Sequence, residues 1–378
     1  MKITEVTVFV LEISGRQPVF ELVELPGMAR ERWIHRGSFS PKPTTMQVMR
    51  VDTDEGIEGV CTVAQETLGP LTERTLEQLK LLVVGQNPLD RERLYQKLHT
   101  GTRWIYQSPG WAGAFDNCLW DIAGKAANMP VYALLGRVRD SIPAYFNIRG
   151  ETKEEAAKHA RYAVSEGFVA VKDHFYHSIQ ENIEWFEAIR DAVGRDIDIM
   201  HDAVAIYTFE EAIRVGRALE ALNYRWFEEP LSDRQQNKLK ALCDALDIPI
   251  LALEMMMNEV DLQAQWLISG ATDMIRVNAR HGTTPLMKLA HLAELYGTTV
   301  ELNGVGGNFG LVHTHLLCSI YNTSFYEYWG GTHEQSGREI GMTNPPSPIK
   351  GRMAPPDGPG WGAAWDWELF QNKVIAEI

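Results

Sequence analysis

Cysteine is scarce in this chain, and its four thiols (Cys61, Cys118, Cys243 and Cys318) lie far apart with no CxxC pattern. That spacing argues against a disulfide framework or a zinc site and points to a reducing cytoplasm. Long apolar runs are also missing: none approaches the length a membrane helix needs, and MKITEVTVFVLE alternates like a strand, without a signal peptide's apolar core. Basic excess is absent as well. The formal net charge is −14, from 36 Lys and Arg against 50 Asp and Glu, which argues against nucleic acid or an anionic membrane as partner. It leaves room for a small carboxylate substrate, because a bound cation can reverse the local sign.

What is present is a rhythm. Asp202 closes IDIMHD, Glu228 closes YRWFE and Glu254 closes IPILALE, at two equal intervals of 26 residues. Asn147, Lys172, Asn278, Asn303 and Glu327 close further short apolar runs on the same beat, giving eight strand ends separated by 24 to 30 residues. One strand plus one helix fills such a period, and eight units read as a (β/α)8-type barrel, whose active site lies at the C-terminal strand ends. The helices between are amphipathic: ETKEEAAKHARYAVSEG opens on Thr152 with Glu155 three positions on, a capping-box spacing.

The 378 residues leave space beside a barrel for a second domain. Residues 1–62 read as a strand meander, with DEG as a tight turn and a polar, Gly/Pro-punctuated loop at 24–43 that is either a lid or plain surface. Helices follow, and in GWAGAFDNCLWDIAGKAANMPVYALLG the small residues are spaced for close packing. The chain thus divides into an α+β part at 1–130, the barrel at 131–345, and a Gly/Pro-rich tail at 346–378 expected to return to the first part.

Three carboxylates converging on a barrel mouth raise one another's pKa unless a cation intervenes. One such acid is most often a helix cap; three on consecutive strands at equal spacing point to a metal. An all-oxygen set favours Mg²⁺, with Mn²⁺ the alternative. Glu229 adjoins Glu228, and strand alternation lets only one of the two face the mouth.

DAVAIYTFEEA, YRWFEEPL and IPILALE, with CLWDIAGKAANMPVYALLG before the barrel and DGPGWG then WDWELF at the end, resemble the enolase superfamily in its mandelate racemase / muconate lactonising subgroup. The resemblance spans essentially the whole chain. It implies a modified (β/α)7β barrel, a capping domain built from both termini, symmetric homo-oligomers, and Asp202, Glu228 and Glu254 as Mg²⁺ ligands. It also implies removal of the proton α to a carboxylate, with the metal stabilising an enediolate.

The sequence departs from that pattern where protons move. Lys172-Asp173-His174 stands where Lys-x-Lys is expected, and Asn278 and Asn303 replace an Asp–His dyad. Asn cannot exchange a proton at neutral pH, although it can hold a substrate hydroxyl. Racemisation needs a proton-transfer group on each face, whereas an elimination can run with one base. The expectation is dehydration of a sugar acid or other hydroxy acid, with His174 as base, Lys172 orienting the carboxylate and Glu327 as acid or carboxylate partner. A racemase or epimerase using His281 or Glu327 in place of the dyad, and a metal-binding pseudoenzyme, are the alternatives. Tyr207 and Arg149 lie just past strand ends as further substrate contacts, and His313 and His315 read as core or helix-surface residues.

Overall fold

The computed structural model describes residues 1–14, 18–24, 31–39, 42–64, 69–304 and 306–378. The chain opens with β1 (Ile3–Ile13), β2 (Pro18–Glu24), β3 (Glu31–Phe39), β4 (Thr44–Thr53) and β5 (Glu58–Thr62). The β1–β4 and β4–β5 pairs are antiparallel, with the DEG turn joining the second pair. Among the described residues, four helices complete this part: α1 (Glu73–Val83), α2 (Arg91–Ile105), α3 (Gly113–Ala126) and α4 (Val131–Leu135). The close packing expected of α3 is realised, because a Cβ on its Gly113 would overlap the Arg280 carbonyl oxygen and one on its Gly124 the Gly360 backbone. The 24–43 loop is corrected in part: β2 and β3 form an antiparallel hairpin, with Leu22 opposite Trp33 and Glu24 opposite Glu31. Its β-branched and aromatic residues outweigh the Gly/Pro punctuation that suggested a loop; residues 25–30 and 40–41 lie outside the described residues.

Eight parallel strands follow: β6 (Ile142–Asn147), β7 (Ala170–Asp173), β8 (Asp198–Asp202), β9 (Trp226–Glu228), β10 (Ile250–Ala252), β11 (Met274–Val277), β12 (Val300–Leu302) and β13 (Tyr326–Tyr328). They pair in the order β12-β11-β10-β9-β8-β7-β6-β13, a nearly closed barrel. Between them run α5 (Lys153–Ser165), α6 (Ile179–Val193), α7 (Phe209–Ala221), α8 (Gln236–Ala245), α9 (Val260–Ser269), α10 (Thr283–Leu295) and α11 (Phe309–Ser319). Complete capping boxes open α6 (Ser178 with Glu181) and α7 (Thr208 with Glu211). At α5 only half of the expected box forms. Thr152 Oγ1 accepts from the Glu155 amide, but the Glu155 carboxylate turns back to the Glu151 amide instead.

The chain ends with α12 (Thr332–Glu339), β14 (Arg352–Met353), α13 (Trp367–Lys373) and β15 (Val374–Glu377). β15 pairs antiparallel with β1, so the capping sheet contains both ends of the chain. Side chains alternate along each barrel strand, which stacks the interior in layers. Tyr145, Ala170, Met200, Trp226, Leu251, Met274 and Phe325 form an apolar floor. Two residues further along their strands, Asn147, Lys172, Asp202, Glu228 and Arg276 form a polar layer above it. Among the described residues no helix is long and apolar enough to cross a membrane.

Candidate active site

Above that polar layer opens a cavity of about 2430 Å³ lined by Lys172, His174, Asp202, Glu229, Glu254, Asn303 and Glu327, with Phe20, Val23 and Glu24 of the hairpin at its rim. Lys172, almost completely buried, holds its floor: Nζ lies 3.2 Å from Asp202 Oδ2, 3.0 Å from Glu228 Oε2 and 2.9 Å from Glu327 Oε1. Burial and Arg276 oppose its charge, but the Glu228 and Glu327 carboxylates outweigh them and hold it as ammonium, well above the usual lysine range.

Arg276 is a second buried cation, and the sequence reading missed it. Its Nε lies 2.8 Å from Glu228 Oε1 and donates to Glu254 Oε2 at 3.4 Å, while Nη2 donates to Glu327 Oε2 at 2.9 Å and to the Tyr145 hydroxyl at 3.0 Å. An arginine inside an apolar strand, in step with Asn278 on the inward face, was the available signal. Glu327 has both oxygens engaged, by Lys172 and Asn147 on one and by Arg276 and the Gly304 amide on the other. Burial works against its charge, yet Lys172 and Arg276 keep it below the usual carboxylate range. It is anchored from both sides.

Glu228 and Glu229 both reach the site, against the expectation that alternation would choose one. Glu229 has φ 42, which turns the backbone out of strand geometry directly after β9. Glu228 lies at the floor and Glu229 on the cavity wall. Burial first, then the neighbouring carboxylates of Glu254, Asp233, Asp202 and Glu228, push the Glu229 pKa well up. Strain is concentrated here, since Val204, Ala205, Glu229 and Leu253 all have positive φ beside the three acids.

The residues fit a hard divalent cation. Asp202, Glu228, Glu254 and Glu327 face two cationic side chains, Lys172 and Arg276, which leaves an excess of two negative charges. Glu228 Oε1 is buried without a hydrogen bond, because the nearby Arg276 N–H is spent on Glu254. Among the described residues no three acid, His or Cys side chains close around a single point; Lys172 and Arg276 each reach three of the carboxylates.

His174 Nε2 lies 3.1 Å from Asp202 Oδ2, and its ring packs on Trp329 with centroids 5.0 Å apart. Trp329 was not anticipated; it also closes over Gly304, where a Cβ would come within 2.5 Å of the indole. Asn278 Nδ2 donates to Asn303 Oδ1, so the two amides form the pair the sequence places there. His281 does not reach the cavity. Its ring is buried against Gly110, beside α3, and burial together with Arg280 lowers its pKa to about 3. Tyr207 is likewise removed from the site, its hydroxyl bonded to Asn182 Nδ2 at 2.8 Å and His201 Nε2 at 3.1 Å in the core. Arg149 does line the cavity, and His313 and His315 are buried in α11.

Residues 155–369 match the family described as Enolase C-terminal domain-like, and residues 30–136 match the Mandelate racemase / muconate lactonizing enzyme, N-terminal domain. The chain belongs to the enolase superfamily. Among its relatives, an arabinonate dehydratase of Saccharolobus solfataricus is 28% identical over 75% of this chain and 79% of its own length. An N-succinyl-L-Arg/Lys racemase of Bacillus cereus is 26% identical over 81% of this chain and 80% of its own. The crystal structure of a D-glucarate dehydratase from Agrobacterium tumefaciens, complexed with magnesium, superposes with a TM-score of 0.85 at 28% identity over the full length of both chains. The relatives of this enzyme thus include both sugar-acid dehydratases and a racemase.

Proposed function

We propose that this enzyme is a Mg²⁺-dependent dehydratase of a sugar acid bearing hydroxyls on the two carbons next to its carboxylate. The observation that carries the reading is the asymmetry of the strand ends: His174, beside Asp202, follows one strand, and the Asn278–Asn303 amide pair, which cannot exchange a proton at neutral pH, follows two others. Asp202, Glu228 and Glu254 would hold the cation, which supplies positive charge to stabilise the negative charge developing on the substrate carboxylate. The magnesium and the dehydratase activity of the relatives named above support this assignment.

The chain's own residues supply the rest. With Nε2–H donated to Asp202, His174 keeps the lone pair on Nδ1 and takes the α-proton there. The bond from the adjacent carbon to its hydroxyl then breaks, and the same proton leaves with that oxygen as water. The enol that remains relaxes to a 2-keto-3-deoxy acid. Lys172 stays an ammonium and offsets the substrate's charge, and Arg276 and Asn147 keep Glu327 ionised and fixed. Asn303 faces the cavity as a hydroxyl-binding group. Neither residue named as a replacement for the dyad in the racemase alternative is available, because His281 packs outside the cavity and both Glu327 oxygens are engaged. A panel of aldonic and aldaric acids incubated with Mg²⁺ and assayed for 2-keto acid by semicarbazone absorbance tests the assignment. Keto acid formed with at least one member and abolished by EDTA is expected; silence across the panel from protein that binds Mg²⁺ would favour the pseudoenzyme.

A further inference from the structure

Glu254 departs from its two companions in how it is held. Asp202 and Glu228 end their strands, whereas Glu254 lies two residues beyond β10, at the start of a 3₁₀ turn spanning Glu254–Met256. The residue before it, Leu253, has φ 85 and ψ 24, a left-handed conformation that a branched side chain adopts only when its surroundings enforce it. Two buried side chains enforce it. Asp233 Oδ1 accepts from the Leu253 amide at 2.8 Å and Oδ2 accepts from the Met255 amide at 2.9 Å, so one carboxylate grips the backbone on both sides of Glu254. Gln263 Nε2 donates to the Leu253 carbonyl at 3.2 Å and to the Arg276 carbonyl at 2.7 Å. Both are nearly inaccessible, at 3% and 1% exposure. Trp266, one turn along α9 from Gln263, donates Nε1 to the Asp233 carbonyl at 3.0 Å, so a single helix face secures both sides of the grip.

We propose that Asp233 and Gln263 are positioning residues, a clamp that holds Leu253 in its left-handed conformation and thereby aims Glu254 at the cation site. The inference rests on the reading of Glu254 as a cation ligand. Neither residue meets the cavity; each acts through the Leu253–Met255 backbone. An outer residue that orients a ligand typically controls metal affinity by about 10- to 100-fold. Glycine accepts a positive φ without strain, so a clamp and an uninvolved buried carboxylate predict different double-mutant behaviour.

The test is titration calorimetry with MgCl₂ alone on the wild type, Asp233→Ala, Leu253→Gly and the Leu253→Gly/Asp233→Ala double variant, with thermal midpoints measured in parallel. The clamp predicts that Asp233→Ala weakens Mg²⁺ binding by about tenfold or more. It also predicts that this penalty shrinks at least severalfold once residue 253 is glycine, because less enforcement is then required. Gln263→Leu tests the other arm independently and is expected to weaken binding too, which covers the case of an Asp233 variant that fails to fold. The proposal is overturned if folded Asp233→Ala binds Mg²⁺ within about twofold of wild type, or if its penalty is unchanged in the glycine background, as a purely electrostatic effect of the lost charge would be. A wild type that does not bind Mg²⁺ at all overturns the cation site itself, and the clamp with it.

Discussion

Arg276→Met removes the cation on which the polar layer depends while keeping most of the side chain's length. In the native chain that guanidinium lies 2.8 Å from Glu228, 2.9 Å from Glu327 and 3.4 Å from Glu254, fully buried. Deleting one partner of a buried ionic network leaves uncompensated charge and costs about 3–5 kcal/mol. Glu228 shows how little reserve there is: burial already lifts its pKa to about 7 with Arg276 and Lys172 both pulling it down. For a chain of this length, roughly 1–2 °C is lost per kcal/mol, so the thermal midpoint in EDTA should fall by about 3–10 °C. The freed carboxylates should then bind a divalent cation more productively than in the wild type. A cation at 100 times its dissociation constant adds about 2.7 kcal/mol, so saturating MgCl₂ should restore a larger share of the midpoint in the variant than it adds to the wild type. Thermal melts of both proteins with EDTA and with MgCl₂ decide the matter. A loss below about 1 °C in EDTA, or an equal Mg²⁺ gain in both proteins, would refute the charge balance drawn for this layer.

Three further outcomes are expected. His174→Asn should abolish keto acid formation while leaving Mg²⁺ affinity within about threefold by calorimetry, since it removes the base and none of the three carboxylates. Gly304→Ala places a methyl within 2.5 Å of the Trp329 indole and should displace that ring from His174, lowering kcat more than stability; tryptophan fluorescence would report the movement. His315 is neutral in the fold, with Nδ1 accepting from the Tyr132 amide and Nε2 donating to the Trp361 carbonyl, and burial lowers its pKa to about 4. A folded-state pKa below the unfolded value of about 6.5 means that the stability it contributes is present above pH 6.5 and is lost as pH falls through 4, an effect of about 3 kcal/mol. His315→Gln should flatten that acid limb in pH-dependent denaturation.

The strand ends were readable in the sequence because a parallel strand buried on both faces is a short apolar run that ends where polar chemistry begins. The DEG turn between β4 and β5 and the small-residue face of α3 were legible for a similar reason, since pattern and packing coincide there. What escaped was set by backbone turns and by contacts distant in sequence. Glu229 joins the site only because φ 42 breaks the alternation that would have excluded it. The hairpin of β2 and β3 was obscured by the Gly and Pro residues around it. His281 looked available as a second base three residues past Asn278, but the loop turns its ring under α3. Asp233 and Gln263 carry no motif at all; their role exists only through the amides and carbonyl they hold.

The central claim is that one base acts on one face and water departs. Its most direct test follows the α-proton by NMR during turnover in D₂O with Mg²⁺, using a sugar acid on which keto acid formation has been detected. The account predicts loss of the α-proton signal together with appearance of a 2-keto-3-deoxy product, and recovered substrate that keeps its configuration. Recovered substrate carrying deuterium at the α-carbon with inverted configuration would contradict it, because inversion requires a second proton-transfer group where Asn278 and Asn303 stand.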